Sequence, residues 1–210
     1  MFLFIDTETT DTFNFKVQAS DPCQPDMIEM SAALFDADRR LVQCLSTLVR
    51  CPNIDGWKIE PNAEALHGIS NDLCQQYGTH PNRCLAILNR MAERANLVVA
   101  HNVKFDLAVL NTASVRNNVP LARSLVTGPF YCTMERATDI CCFPFPDGTG
   151  NKWPKLEEAY EFFTGRERIE PAHCGLYDVL ACADVFFALR REPTEAVYLD
   201  ELLNVLCETK

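Results

Sequence analysis

The sequence predicts a single α/β domain: a mixed β-sheet with helices on its faces, its first three strands antiparallel and its later strands parallel. Three observations carry that expectation. Strand-like runs come first and cluster near the start of the chain. Helical periodicity and short apolar runs then alternate to the end, and no repeat, low-complexity stretch or linker divides residues 1–210. A chain of 210 residues, 48% hydrophobic and 23% charged, is also long enough and apolar enough to bury one full core.

Phe2, Leu3, Phe4 and Ile5 form an apolar run that closes on Asp6. With no basic flank it is too short for a signal peptide or a membrane span, so it reads as a buried strand, and the protein as soluble and cytoplasmic. Residues 27–35 set Ile28, Met30, Ala32 and Leu34 against Glu29, Ser31 and Ala33, the alternation of a half-buried strand. A second run, 41–49, follows the short polar stretch Asp36–Arg40, which makes the pair a hairpin and gives three consecutive antiparallel strands.

Pro81 then opens an amphipathic helix carrying Leu85, Leu88 and Met91, and Leu97–Ala100 reads as a buried strand. Helix is expected over 103–116, a short strand over 129–133, and helix again over 155–163, with Leu156, Ala159, Tyr160 and Phe163 at helical spacing. Two more helices are expected at 175–190 and 195–207, the last bearing Leu199, Leu202, Leu203 and Leu206. Residues 141–154 are dense in turn formers and read as a loop, with Trp153 as a core anchor before the next helix. The eleven cysteines are odd in number and follow no export signal, so reduced, mostly buried thiols are expected rather than a disulfide framework. Cys74, His80 and Cys84 lie close together, but no C-x-x-C pair occurs, and a structural zinc site is not expected.

The chemistry lies in the acids. Asp6 and Glu8 are two residues apart on a strand, whose period of two points both carboxylates to one face. Asp106 falls in the first turns of a helix directly after a buried strand, a place where an acid also serves the helix dipole. Asp178 adjoins the core-facing stripe of Leu180, Ala181 and Val185, where a charge needs a partner, and a metal ion would be one. His173 stands five residues ahead of Asp178, just before that helix.

In DTETT (from Asp6), HNVKFD (to Asp106) and AHCGLYD (to Asp178) the chain resembles, in order, the three motifs of the DnaQ-like DEDDh family of 3′–5′ exonucleases. Ala65–Ser70 is similar to that family's H-G-I turn, and Trp153–Leu156 to the stretch before its penultimate helix. The resemblance implies a ribonuclease H-like fold and assigns Asp6, Glu8, Asp106 and Asp178 to the metal site and His173 to the general base. Glu8 would also hold or orient the water-side metal. The implied cofactors are two divalent cations, Mg2+ or Mn2+, which suit hard oxygen ligands and, about 3.5–4 Å apart, serve both the attacking and the leaving oxygen. Thr9 and Thr10 occupy the place whose backbone meets the terminal 3′-hydroxyl. His67, Gly68 and Ile69 would line the terminal base and sugar, and Phe13 or Phe15 would wedge the last bases apart. His101 and Asn102 resemble a pair near the family's active site, with either a substrate role or the fixing of the strand-to-helix turn. The departures are Cys174 and Gly175 after the histidine, and Asp11 where many relatives carry glycine.

A net charge of −10 disfavours a long, non-specific grip on duplex, because phosphate affinity comes mainly from Lys and Arg. Two bound dications would offset four of the acids and turn the cluster into a phosphate-attracting site. The remaining negative charge favours short or single-stranded ends, or a partner that supplies affinity; with the 3′-end cutting that the resemblance implies, the expected substrate is a single-stranded or frayed 3′ end of DNA, with no membrane partner. The same constellation serves RNA in an exoribonuclease or oligoribonuclease, and the sequence offers no clear reader of the 2′-hydroxyl. A non-catalytic binding subunit, or a catalytic one docking on a polymerase through its last helix, is the further alternative.

Overall fold

The computed structural model describes residues 1–50, 52, 57–167 and 174–190. Five strands, β1 (Phe2–Thr9), β2 (Met27–Phe35), β3 (Leu41–Leu48), β4 (Leu97–Ala100) and β5 (Phe130–Cys132), form one sheet of order β3-β2-β1-β4-β5. β1 pairs antiparallel with β2, and β2 with β3; β1 pairs parallel with β4, and β4 with β5. The expected mixed sheet is thus present, with β1 at its centre. A register shift between Glu8 and Thr9 interrupts the pairing of β1 with β2 near its end, and Thr9 then pairs with Met27.

Eight helices complete the described chain: α1 (Pro61–His67), α2 (Asn71–Tyr77), α3 (Pro81–Ala92), α4 (Val103–Asn117), α5 (Arg123–Val126), α6 (Thr133–Cys141), α7 (Leu156–Thr164) and α8 (Gly175–Leu189). α3 starts as its sequence dictates, with Pro81 in the first turn and the His80 ring accepting from the Asn82 amide at 3.3 Å. α1, α2, α5 and α6 were not anticipated by periodicity. Each has nine residues or fewer, too short to show it, and α6 follows β5 with no loop between. The helix expected at 195–207 lies outside the described residues.

The sheet's two faces bury different cores. On one, Leu3, Ile5, Met30, Ala32 and Leu34 meet Leu85, Leu88 and Met91 of α3 and Val109 and Leu110 of α4. On the other, Phe4, Ala33, Phe35 and Val99 meet Val179, Ala183, Phe186 and Phe187 of α8. Here Phe4 stands edge-on to Phe35 and to Phe186, both at 5.4 Å between centroids, and Tyr131 does the same to Phe186 at 5.0 Å. β2 is consequently buried on both faces, not half-buried: Ser31 and Ala33, read as its outer side, are fully covered because α8 lies over them. Leu85 is fully enclosed by the first core. Leu85→Ala is expected to cost about 2–5 kcal/mol, measured by urea unfolding. A loss below about 1 kcal/mol would mean that this core is not closely packed.

The segment 142–154 is an ordered loop. An isolated bridge joins Pro144 to Asn151, and the Phe145 amide donates to the Gly150 carbonyl at 2.8 Å. Trp153 is 66% exposed, so it is not a core anchor; its neighbour Pro154 makes the inward contact instead. Among the described cysteines, Cys74, Cys84, Cys132, Cys141 and Cys182 are buried free thiols, whereas Cys23, Cys44 and Cys142 are exposed.

Candidate active site

β1 pairs with β4 only from Phe2 to Phe4, so Ile5–Thr9 runs on past its parallel neighbour. The chain leaving β4 turns across this gap. Asn102 takes the left-handed conformation (φ 77°, ψ 52°), its carbonyl receives the Phe105 amide at 2.8 Å, and α4 begins. His101 fixes that turn. Its Nε2 lies 2.9 Å from the Pro154 carbonyl and its Nδ1 3.0 Å from the Thr133 hydroxyl. A carbonyl only accepts, so Nε2 carries the proton and Nδ1 accepts. Burial lowers the His101 pKa and favours this neutral form. His101 thereby ties the end of β4 to the start of α6 and to the loop before α7.

Three of the predicted acids converge. Carboxylate oxygens of Asp6, Glu8 and Asp178 lie within 4.8 Å of one another, Asp178 reaching in from the first turn of α8. Asp106 enters from the first turn of α4 and accepts a 2.9 Å hydrogen bond from the Thr7 hydroxyl. It stands outside the three-carboxylate group but close enough for its charge to act on Asp6. Asp6 Oδ2 is buried and has no hydrogen-bond partner among the described residues.

The electrostatics follow from that crowding. Burial first, and then the charges of Asp106, Asp178, Glu8 and Glu29, raise the Asp6 acid well above the usual carboxylate range. Burial pushes Asp106 up to about 8, against the hydrogen bonds from Thr7. Glu29 is raised by burial, opposed by its Ser46 hydrogen bond. Burial and mutual repulsion oppose their ionising together, and added positive charge would relieve that opposition. An all-oxygen donor set with an orphaned buried oxygen fits a hard divalent cation.

The remaining predicted residues are spread around this cluster. Thr9 and Thr10 follow the register shift; the Thr9 hydroxyl donates to the Asp11 carbonyl at 2.8 Å, and the Thr10 hydroxyl accepts from the Asp26 amide at 3.0 Å. The Thr10 carbonyl receives the Glu60 amide at 2.9 Å, so this backbone is held from two sides. Gly68 is the left-handed cap of α1 (φ 71°), and His67 Nδ1 accepts from the Ile69 amide at 3.0 Å. Ile69 itself is buried with Ile28, Ile59 and Cys74. Phe13 is buried against Phe105 and Phe15, whereas Phe15 is 63% exposed. Asp11 faces solvent, its carboxylate accepting from the Thr12 amide. His173 lies outside the described residues.

Two contributors were missed from sequence. Thr7, the residue between the two acids of β1, orients Asp106 from the opposite face of the strand. Glu29 was read as an outer residue of β2, but it is the register partner of Glu8 and stands beside the cluster. Its being the one charged residue in 27–35 was the available signal.

A family model described as an exonuclease, RNase_T, matches residues 3–186. The chain belongs to this DnaQ-like exonuclease family. Among curated proteins no sequence matches it. Its fold is similar to that of Exonuclease X in complex with 5′ overhanging duplex DNA, at 21% identity over 90% of both chains and a TM-score of 0.61. It is also similar to E. coli Exonuclease I in complex with a dT13 oligonucleotide, at 17% identity and a TM-score of 0.69, and to a zinc-bound form of the E. coli enzyme with single-stranded DNA, at 19% identity and a TM-score of 0.66. These matches cover 98% and 99% of this exonuclease-family chain but 43% and 42% of Exonuclease I, so it spans less than half of that enzyme's length. Identities this low establish the ribonuclease H-like fold that these exonucleases share. No described helix is long and apolar enough to cross a membrane.

Proposed function

We propose that this family member removes nucleotides from the 3′ end of single-stranded DNA, with Asp6, Glu8, Asp106 and Asp178 holding two Mg2+ or Mn2+ ions and His173 as the general base. The observation that carries the reading is the convergence of Asp6, Glu8 and Asp178 within 4.8 Å, with a buried oxygen on Asp6 that has no partner among the described residues. Bound dications would supply a water made nucleophilic near neutral pH and charge at both reacting oxygens. The chain supplies the rest. Asp6 on β1 and Asp178 on α8 approach from separate rigid elements, and the Thr7 hydroxyl fixes Asp106 through one of its oxygens. His173, a side chain whose ordinary pKa lies near 6.5, takes the water's proton when neutral.

The terminal nucleotide would meet the backbone of Thr9 and Thr10, which is held by Asp26 and Glu60, with His67, Gly68 and Ile69 bordering its base and sugar. Phe15, exposed beside the buried Phe13, is the better placed of the two to stack on a base. Support for single-stranded DNA comes from the net charge of −10, which disfavours a long duplex contact, and from the oligonucleotides bound to the similar Exonuclease I structures.

The test is to incubate the protein with 5′-labelled single-stranded DNA and the matching RNA in Mg2+, Mn2+ or EDTA. Stepwise shortening from the 3′ end of DNA, dependent on the metal, is expected, and His173→Ala should lower kcat about 10²- to 10⁴-fold. Faster shortening of RNA would move the substrate to the exoribonuclease reading. A folded, metal-supplied protein that shortens neither polymer would overturn the proposal.

A further inference from the structure

We infer that Glu29 is a positioning residue which caps α8 from the neighbouring strand and so sets where Asp178 meets Asp6 and Glu8; its catalytic consequence rests on the metal-site reading above. A helix start leaves backbone amides without intrahelical partners. The residue that normally satisfies one of them is here Cys174, and its side chain makes no capping bond. The Glu29 carboxyl group instead lies against the first residue of α8, its Cδ 3.2 Å from where a Cβ on Gly175 would stand, and the Gly175 amide opposes the rise that burial gives its pKa.

That carboxylate is itself held from the sheet. Ser46 on β3 donates to Glu29 Oε1 at 3.1 Å, and Ser31 on β2 donates to the Ser46 hydroxyl at 3.0 Å. Ser31 and Ser46 are register partners, so the relay is built into the β2–β3 pairing. The helix start is pressed onto this relay. A Cβ on Gly175 would lie 2.3 Å from Ser31 Oγ and 3.2 Å from Glu29 Cδ, which explains why glycine stands at this departure from the family pattern. Asp178 follows one turn later and joins the carboxylate cluster.

Glu29 therefore acts on the site through α8, not as a ligand. It is outside the group whose oxygens converge; it accepts a hydrogen bond from Ser46 and lies against Gly175. A carboxylate at a helix N-terminus also complements the helix dipole. Loss of such a support frees the ligand it orients, and changes of this kind typically weaken metal binding about 10- to 100-fold.

Glu29→Ala, Glu29→Gln and Ser46→Ala test this. Glutamine keeps an acceptor for the Gly175 amide but removes the charge. In Glu29→Ala, amide exchange at residues 175–178 should accelerate, calorimetric affinity for Mn2+ alone should fall about tenfold, and kcat should fall with little change in KM. Glu29→Gln should restore all three to within about threefold of the parent, on the same expectation for a support that is kept. Ser46→Ala should move them in the Ala direction by less, and it covers the case in which Glu29→Ala does not fold. Unchanged exchange at 175–178 in Glu29→Ala would overturn the cap, as would a Glu29→Gln as impaired as Glu29→Ala, which would make the charge itself the active feature. An unmutated protein that binds no Mn2+ would overturn the metal-site reading instead, and the exchange measurement would still decide the cap.

Discussion

Asp6→Asn is expected to abolish hydrolysis and, in metal-free buffer, to stabilise the fold. The two effects have one cause. Asp6 sits on the central strand, its Oδ2 buried and unpartnered among the described residues, with Asp106, Asp178, Glu8 and Glu29 all opposing its ionisation. Asparagine keeps the shape, removes one like charge, and can donate to a neighbouring carboxylate. Relief of a buried, unsatisfied polar group contributes about 1–3 kcal/mol, which for a chain of this size raises Tm by about 2–4 °C per kcal/mol. The same change removes a metal-holding oxygen. If the bound ions contribute about 5 kcal/mol to the transition state, kcat falls by nearly four orders of magnitude. Thermal melts in EDTA and single-turnover hydrolysis in Mg2+ check both arms. A destabilised, inactive variant would mean that Asp6 serves the fold and not a cation, and an active one would remove it from the chemistry altogether.

Why was this site largely legible in the sequence, while its supports were not? Asp6 and Glu8 share a face because a strand alternates every residue, and Asp178 follows a helix start that its own pattern announces; local periodicity is enough for each. That they form one site was implied by the resemblance of the three ordered motifs, and the fold sets Asp6, Glu8 and Asp178 within 4.8 Å of one another. Glu29 and Thr7 depend on something else. Glu29 reaches the site because β2 pairs with β1 in the register that sets it against Glu8, and because α8 lands on Ser31; neither register nor landing point is written in a window of ten residues. Thr7 carries no local signal of its role, because its partner lies 99 positions away. The two-sided burial of β2 was hidden for a related reason. Ser31 and Ala33 are small and neutral, so they pass equally for an outer face or for the floor under a closely packed helix.

The metal-free protein should lose stability as pH rises from about 4 towards 8, the reverse of ordinary acid denaturation, and added Mg2+ should stabilise it far more at pH 8.5 than at pH 6. In an unfolded chain Asp6 and Asp106 titrate near the usual aspartate value of about 3.9. In the fold both are raised, Asp106 to about 8, chiefly by burial. Between the two values the folded state holds protons that the unfolded state has released, so each rise in pH favours unfolding, by about 1.4 kcal/mol per unit for each proton so held. Above the folded values both states are ionised, the slope vanishes, and the penalty is fully present. A divalent cation competes with those protons and supplies the charge that lets the carboxylates ionise together; its binding therefore releases protons and strengthens as pH rises. Melts in EDTA and in Mg2+ across pH 5–9, with proton release followed by calorimetry in buffers of different ionisation enthalpy, measure both trends. Stability that rises with pH over 4–8 in EDTA would show that the carboxylates are already ionised in the free protein, and that the fold itself, not a cation, supplies their counter-charge.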